Sequence, residues 1–309
     1  MGIRSGKIKK HISRIILYVL VILIVFWTLA PFTWLFISGL FPYKELISDR
    51  TTSWFPKHPT VKNFQAMFDL NSHIGQRFIY ALRSSIIIAG TVTIICLIFG
   101  TLAAYALARL EFPFKNNIVM SLVSIRMIPT VALVIPFFII IRTLDYYLIQ
   151  ANSSFHFYDT KINLIMLYVT FILGFVVWIM RGFFLTIPSE LEETARIDGC
   201  TRIQTLIKIV LPLSTPGLVA TGIFAFLLAW DEFVLALVFT KTTNSITIPV
   251  FISALGSQYI HAFDQIAASG FIVSACACSH ADRSLPPIIL ALMFQRFLIK
   301  GLTAGSTKG

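Results

Sequence analysis

Two groups of residues in this sequence have side chains that could do chemistry. Cys276, Cys278 and His280 form a C-x-C-x-H pattern near the C-terminus. Thiolates and imidazoles are the usual ligands of Zn²⁺, but a structural zinc site takes four ligands, and no second Cys or His cluster accompanies this one. We therefore expect no metal site and no bound cofactor in this chain.

The second group consists of acidic and aromatic residues within the apolar run AWDEFVLAL: Trp230, Asp231, Glu232 and Phe233. A charge at the centre of a membrane costs about 2.5–3.5 kcal/mol, so an acid in a spanning segment needs a cavity or a partner. Carboxylates bind hydroxyl groups, and aromatic faces pack against rings. These four residues are therefore a candidate substrate path. The alternative places the acids at the membrane edge or in a structural hydrogen bond to another span.

Motifs for nucleotide hydrolysis and for zinc-dependent hydrolysis are missing from the sequence. There is no G-x-x-x-x-G-K-[ST] stretch to cradle phosphates and no H-E-x-x-H pair to bind a catalytic zinc. An intramembrane enzyme would also need His, Asp or Ser groups that converge at depth, and the apolar runs contain no such constellation. We expect a protein that is not an enzyme.

The composition indicates a membrane protein with several spans. Of the 309 residues, 57% are hydrophobic and 13% are charged, whereas soluble domains have about 45–50% and about 25%. The formal charge of +11 could suggest nucleic acid, but Lys and Arg of membrane proteins collect in the cytoplasmic loops. We therefore expect no nucleic-acid partner, and membrane lipid around the spans.

Long apolar runs divide the chain into candidate transmembrane helices, each long enough to cross a bilayer with roughly 20 residues. Six spans are expected, at about residues 15–40, 82–108, 118–141, 162–187, 216–240 and 265–299. The predicted fold class is an all-α polytopic membrane protein. Residues 1–14 then form an N-terminal segment, residues 15–300 the membrane domain and residues 301–309 a tail.

Lys and Arg are distributed unevenly between the two sides of these spans. The segments on the side of the N-terminus hold 14 of them, and the longer segments on the other side hold 8. Because positive residues favour the cytoplasmic side, both termini are predicted to be cytoplasmic. The segment between spans 4 and 5 then lies in the cytoplasm as well.

That segment, residues 188–217, predicts two short helices joined by a turn. Ser189 and Glu192 have the spacing of a capping box, in which each side chain accepts a hydrogen bond from a backbone N–H. Gly199 suits the left-handed conformation that ends a helix, and Thr201 could cap the next helix. Such an element could dock into a groove on a partner protein. On physical grounds alone, an interfacial connector between two spans is the alternative.

The second helix should end before span 5, because Pro212 and Pro216 interrupt it. Six residues of the segment also match the pattern E-A-A-x3-G-x9-I-x-L-P, with Thr194 in place of the middle Ala. The matching residues are Glu193, Ala195, Gly199, Ile209, Leu211 and Pro212. This EAA signature resembles that of the permease subunits of binding-protein-dependent ABC importers.

The resemblance covers most of the chain and is closest to the carbohydrate branch, of the maltose-transporter type. It is carried by WFPKHPTVKNF after span 1, AYALARLEFPFK at the end of span 2, MIPTVALVIPFF in span 3, AWDEFVLAL in span 5 and the terminal QRFLIKGLTAGSTKG. The implied function is a permease that forms half of the translocation pore of an ATP-driven sugar importer. A permease for a non-sugar solute is the first alternative.

The resemblance also implies partners. The EAA loop would be a coupling helix that sits in a cleft of a cytoplasmic ATPase dimer, where ATP-Mg is bound and hydrolysed. A second permease subunit, an extracytoplasmic solute-binding protein and a sugar substrate would complete the system, in the plasma membrane of a prokaryote. The tail residues Gly301, Thr303 and Gly305 would contact the ATPase. A disordered tail is the alternative.

Span 6 departs from the family pattern, in which GFIVSA would run directly into LPPIIL. Residues 276–284 therefore resemble an insertion, and we expect their deletion to leave transport intact or to improve it. Loss of transport would contradict this expectation. A self-energised secondary transporter is a third hypothesis, for which broken helices at matching positions of two repeats would be expected. The sequence predicts such a break in span 6 alone.

Overall fold

The structure is a computed structural model that describes residues 2–47, 53–151, 155–258 and 263–274. These residues form helices and no strand. The helices are α1 (Gly2–Gly39), α2 (Tyr43–Ile47), α3 (Lys62–Phe68), α4 (His73–Arg109), α5 (Lys115–Ile125), α6 (Thr130–Gln150), α7 (Lys161–Leu185), α8 (Glu190–Ile197), α9 (Arg202–Thr205), α10 (Leu211–Leu213), α11 (Thr215–Trp230), α12 (Val234–Phe239), α13 (Ile248–Gln258) and α14 (Phe263–Ser274). The prediction of an all-α protein is confirmed.

Several of these helices are long and apolar enough to cross a membrane. Within the described ranges four helices qualify, namely α1 from Arg14 onwards, α4, α6 and α7. A fifth span is possible if the bent pair Arg202–Leu213 and Thr215–Trp230 counts as one. Most of the sixth predicted span, residues 265–299, lies outside the described residues.

Spans 3 and 5 were each predicted as one continuous helix, and this prediction was wrong. Span 3 was expected at 118–141, but residues 126–129 separate α5 from α6, and the long helix runs on to Gln150. Pro129 explains this break, because proline disfavours a helical conformation in the residue before it. Span 5 was expected as one helix at 216–240, but it is interrupted at residues 231–233. The prediction that span 6 alone is broken was therefore also wrong.

The core of the bundle lies between α4, α7 and α11. Ile88 and Val92 of α4 are fully buried, as are Val176 and Met180 of α7. A Cβ atom at Gly100 of α4 would lie only 2.6 Å from Val176 Cγ1. Small residues allow membrane helices to pack closely, so Gly100 sets the short distance between α4 and α7.

The helices α13 and α14 follow the bundle, and α13 was not predicted. Its residues Ile248 and Phe251 are buried, and Phe251 packs edge to face on Phe78 of α4. The Ser85 hydroxyl accepts a hydrogen bond from the Ile248 backbone N–H at 2.9 Å. The predicted loop between spans 5 and 6 therefore contains a packed helix. The C-x-C-x-H residues, the segment 276–284 and the tail residues Gly301, Thr303 and Gly305 lie outside the described residues.

Candidate functional site

The segment 188–217 folds into two short helical pieces joined by a glycine turn. Gly199 has a φ of +85°, which favours glycine, and the Cys200 N–H donates to the Ala195 carbonyl across the turn. Thr201 then starts α9 with a complete capping box, in which its hydroxyl accepts from Gln204 N–H and Gln204 Oε1 accepts from Thr201 N–H. The predicted glycine turn and the Thr201 cap are both confirmed.

Between α9 and α10 the chain forms a π-helical turn, Leu206–Val210, in which the Leu211 N–H donates to the Leu206 carbonyl. After Leu213 the helix axis bends by 82° into α11. Pro216 has no N–H to donate to the Pro212 carbonyl, and the Thr215 hydroxyl donates to that carbonyl instead at 2.8 Å. The prediction that these prolines end the helix before span 5 is confirmed.

The predicted capping box at Ser189 and Glu192 was wrong. Helix α8 does begin at Glu190, but the Ser189 side chain makes no capping hydrogen bond. Glu192 instead turns toward the end of α4, where its carboxylate accepts from Arg109 Nε at 2.6 Å and from the Tyr105 hydroxyl at 2.9 Å. A cationic guanidinium together with a hydroxyl donor binds a carboxylate more strongly than a single backbone N–H does, so the carboxylate binds Arg109 and Tyr105 and does not cap its own helix.

Arg109 thus anchors the segment in two ways. Its Nη2 donates to the Ile187 carbonyl at 2.8 Å, while its Nε binds Glu192. The side chains of Arg109 and Glu192 are only 15% and 10% exposed. Arg181 of α7 reinforces the connection by donating to the Leu107 carbonyl of α4 at 3.3 Å. Helix α8 is therefore fixed to the end of α4, which Arg181 in turn ties to α7, and we call this set of contacts the α8 anchor.

The opposite face of α8 and the turn after it are exposed. Glu193 lies on this face, and Ile197 is 86% exposed. The isoleucines of the next helical piece, Ile203 and Ile207, are also exposed. An apolar ridge next to a carboxylate is typical of a helix that docks into a groove of another protein.

The signature residues divide between this exposed face and the interior. Glu193, Gly199 and Pro212 are exposed, Ala195 is buried, and Ile209 and Leu211 are half-buried. Sequence reasoning missed Tyr105 and Arg109 as partners of the segment, although both belong to the AYALARLEFPFK stretch. The available signal was a cation at the end of span 2 and several acids in the segment after span 4. The positions of these residues in the sequence do not show which acid Arg109 binds.

The candidate substrate-path residues lie around the break between α11 and α12. Glu232 accepts hydrogen bonds from the N–H groups of Leu235 and Ala236 and so caps α12. Trp230 is 1% exposed and stacks on Phe226. Asp231 is exposed and Phe233 half-buried. These four residues thus do not share one face of a continuous helix, and their role in a substrate path stays a prediction.

Arg126 occupies the other break, between α5 and α6. An arginine within an apolar run is compatible with a gate residue, an ion pair with an acid of span 5, snorkelling to the membrane surface or a structural contact. In the structure its guanidinium lies over the ring of Phe175 on α7, 4.2 Å from the ring centroid. A cation above an aromatic face is held by the ring quadrupole, which favours the structural contact.

At the far end of the bundle, two aspartates organise the loop between α6 and α7. Asp145 accepts from the N–H groups of Phe157 and Tyr158 at 2.6 and 3.0 Å. Asp159 accepts from the N–H groups of Lys241 and Thr242 and from the Ser245 hydroxyl. Asp159 has a φ of +62°. This loop therefore connects the start of α7 with the segment that follows α12.

The charge of Asp159 is expected to matter in a pH-dependent way. Burial opposes its ionisation, but the hydrogen bonds from Ser245, Lys241 and Thr242 outweigh burial and lower the pKa of its carboxyl. A pKa lowered by folding adds stability above the unfolded pKa, and this stability is lost as the pH falls through the folded pKa.

We therefore expect Asp159→Asn, which also tolerates positive φ, to reduce the hydrogen-exchange protection of Lys241 and Thr242 at pH 7. The difference from the wild type should narrow below about pH 4. Equal protection of the two proteins at pH 7 would contradict the prediction.

Comparisons with known proteins place this architecture in a family. The model of the family "Binding-protein-dependent transport system inner membrane component" matches residues 96–282, more than half of the chain. The trehalose transport system permease protein SugB of Mycobacterium tuberculosis is 34% identical over 93% of this chain and 95% of its own length. The trehalose/maltose transport system permease protein MalG of Thermococcus litoralis is 32% identical over 96% and 98%.

A solved structure shows the same fold. It is the crystal structure of a bacterial ABC transporter involved in the import of the acidic polysaccharide alginate, with a TM-score of 0.68 and 19% identity. The match covers 94% of this chain and 98% of that chain. Family model, relatives and fold agree, and the chain belongs to the family of inner membrane components of binding-protein-dependent transport systems.

Proposed function

We propose that this chain is the permease subunit of an ATP-driven sugar importer, in which it forms half of the translocation pore with a second permease subunit. The names of its relatives support a sugar substrate, since those proteins are permeases for trehalose and for trehalose and maltose. The family description supports an extracytoplasmic solute-binding protein as a further partner. Both termini lie in the cytoplasm, in the orientation that the distribution of Lys and Arg favours.

The segment 188–217 is the coupling element to a separate ATPase dimer, which binds ATP-Mg. The α8 anchor is the single observation that carries this proposal. It holds one face of α8 on α4 through Glu192 and Arg109, and it leaves Glu193 and Ile197 exposed for a partner. A helix fixed in this way can transmit movement of the partner to the spans, because both sides then bias the same two-state element.

Co-purification from the native membrane tests this proposal. The tagged chain should recover a second permease and an ATPase, and Glu193→Lys should lower the recovered ATPase severalfold because it reverses an exposed charge on the docking face. Gly199→Pro should act more strongly, since proline cannot adopt a φ of +85°. Recovery of the second permease should not change in either variant.

Glu111→Lys is the matched control for the charge reversal. Glu111 is an acid on the same side of the protein, and because its side chain is 89% exposed, its ion pair with Lys115 contributes little. The proposal requires Glu111→Lys to recover ATPase as the wild type does. If Glu193→Lys and Glu111→Lys recovered equal amounts of ATPase, the exposed face of α8 would not be the docking face. A wild-type chain that purifies alone under mild detergent would contradict the importer itself.

A further inference from the structure

Arg126 lies close to the middle of the membrane. Its guanidinium packs on the ring of Phe175, which is about 15 Å from the Leu185 end of α7 and about 21 Å from the Lys161 end at 1.5 Å per residue. Because α7 is long and apolar enough to be a span, this contact places Arg126 within the hydrocarbon core. An arginine at this depth is costly unless it faces a partner or a water-filled cavity.

The contact with Phe175 uses only one face of the guanidinium. Arg126 is exposed on the surface of the chain, and no group in the described part of the chain accepts a hydrogen bond from its side chain. A guanidinium carries several N–H donors in a rigid fork along its edge. The ring therefore orients the guanidinium, while its N–H groups stay available to a group outside this chain.

The backbone beside Arg126 has unpaired polar groups at the same depth. The chain leaves the helical path between α5 and α6, and the carbonyls of Arg126, Met127 and Ile128 accept no hydrogen bond from any described residue. These residues are also exposed, Met127 by 81% and Ile128 by 45%. Irregular backbone at membrane depth occurs where it is buried in protein or lines a water-filled cavity, and not against lipid.

Water satisfies this surface better than an acid of a partner subunit does. A carboxylate would pair with the guanidinium of Arg126, but it has no hydrogen to donate and would leave the neighbouring carbonyls unpaired. Water and hydroxyl groups both donate and accept hydrogen bonds, so they can satisfy the guanidinium and the carbonyls together. The surface around Arg126 therefore matches an aqueous path.

An aromatic ring extends this polar surface. Phe224 of α11 meets Phe175 edge to face, with 6.5 Å between the ring centroids, and is 48% exposed. A sugar has hydroxyl groups around the edge of its ring and C–H groups on its faces, and aromatic side chains pack against such apolar faces. Guanidinium donors, carbonyl acceptors and an exposed ring are thus the groups that a sugar requires.

We infer that Arg126, the carbonyls of residues 126–128 and Phe224 form a sugar-contact site halfway along the solute path, which we call the Arg126 site. The inference rests on the proposed importer function and adds the residues of this chain that touch the solute. Arg126 donates hydrogen bonds to sugar hydroxyls, the carbonyls accept hydrogen bonds from them, and Phe224 packs on a C–H face.

Thiol accessibility in the intact complex tests whether this site faces water. Met127→Cys and Phe99→Cys are compared in the full chain with its co-purified subunits, and both are treated with a charged methanethiosulfonate. Phe99 is the matched control, since it is 59% exposed on α4 and its neighbour Gly100 contacts Val176, at the depth of the Arg126 site. We expect Met127→Cys to react at least about tenfold faster by mass spectrometry, because the reagent attacks thiolates, which form in water and not in lipid.

Protection by sugar then measures the contact itself. Maltose or trehalose is titrated against the labelling of Met127→Cys, and the concentration for half protection is recorded. Adding Arg126→Gln should raise this concentration about tenfold, because hydrogen bonds from a charged donor are lost. Arg126→Lys should raise it less, since an ammonium still donates to hydroxyls. Arg142→Gln is the matched control, because Arg142 also lies over a ring, 5.0 Å from the centroid of Tyr158, and should leave the concentration unchanged.

Three results would overturn the inference. If Met127→Cys reacted no faster than Phe99→Cys, lipid or a partner subunit would cover the surface. If neither sugar protected Met127→Cys, no sugar would bind beside Arg126. If Arg126→Gln and Arg142→Gln gave the same concentration for half protection, the guanidinium would not contact the sugar. Each result can occur in a complex that recovers its ATPase and second permease, whereas loss of that recovery would contradict the proposed function instead.

Discussion

Arg109→Met is expected to lower transport by at least tenfold and to destabilise the complex by about 3–5 kcal/mol, the usual effect of breaking a buried ion pair. The substitution leaves the Glu192 carboxylate, whose side chain is 10% exposed, without its cation. It also removes the hydrogen bond from Arg109 to the Ile187 carbonyl. Helix α8 would then be held to α4 by the Tyr105 hydroxyl and no longer by a cation, and trypsin should cleave segment 188–217 more rapidly.

A double variant separates the pair from the remaining packing. Arg109→Met combined with Glu192→Leu leaves no unpaired charge, and apolar replacement of a buried pair is often neutral. We therefore expect the double variant to recover most of the thermal stability that Arg109→Met loses. Glu111→Gln is the matched control, because it breaks the pair with Lys115 at a carboxylate whose side chain is 89% exposed, and it should change stability by less than about 0.5 kcal/mol. Equal effects of Arg109→Met and Glu111→Gln would refute a special role for the α8 anchor.

The second large effect is expected at Gly217, in the first turn of α11 after the 82° bend. A Cβ atom there would lie 2.4 Å from Cγ of Phe183, close to the stem of that side chain. Phe183 cannot move its ring away by rotating only its outer atoms, so α7 and α11 must separate. We expect Gly217→Ala to lower the free energy of unfolding by about 1–3 kcal/mol. Thermal denaturation of the purified complex measures this difference.

Gly182→Ala provides the control at the neighbouring position of α7. A Cβ at Gly182 meets nothing within 4 Å, so this variant should be as stable as the wild type or slightly more stable. Phe183→Leu should partly restore Gly217→Ala, because the smaller side chain leaves room at the contact. If Gly217→Ala and Gly182→Ala denature at the same temperature, the close contact between α7 and α11 does not limit stability.

The sequence predicted the elements whose determinants are local. The apolar runs that became α1, α4 and α7 were recognised because a spanning helix needs a continuous stretch of hydrocarbon. The turn at Gly199 and the cap at Thr201 were predicted correctly, since each depends on residues within four positions. Ser189 and Glu192 had equally suitable spacing, but Glu192 has a stronger partner that is 83 residues away in the chain.

The breaks in spans 3 and 5 were missed because hydropathy does not record backbone geometry. Residues 231–233 interrupt an apolar stretch, and Glu232 makes the interruption possible by capping α12. Glu232 lies within the apolar run AWDEFVLAL, and this position suggested a contact with solute and not the start of a helix. Helix α13 was missed for a similar reason, because its burial depends on contacts with Phe78 and Ser85 in a distant helix.

The π-helical turn at Leu206–Val210 makes segment 188–217 tolerant of a change in its length. Such a turn holds one residue more than an α-helical turn, so the chain can lose a residue there and stay helical. Because the wider turn takes up the extra residue locally, the loss would leave the preceding side chains on nearly the same faces relative to α11. Glu192 would still face Arg109, and Glu193 would stay on the exposed face. A single-codon deletion within this turn would therefore be far less disruptive than the loss of the ion pair.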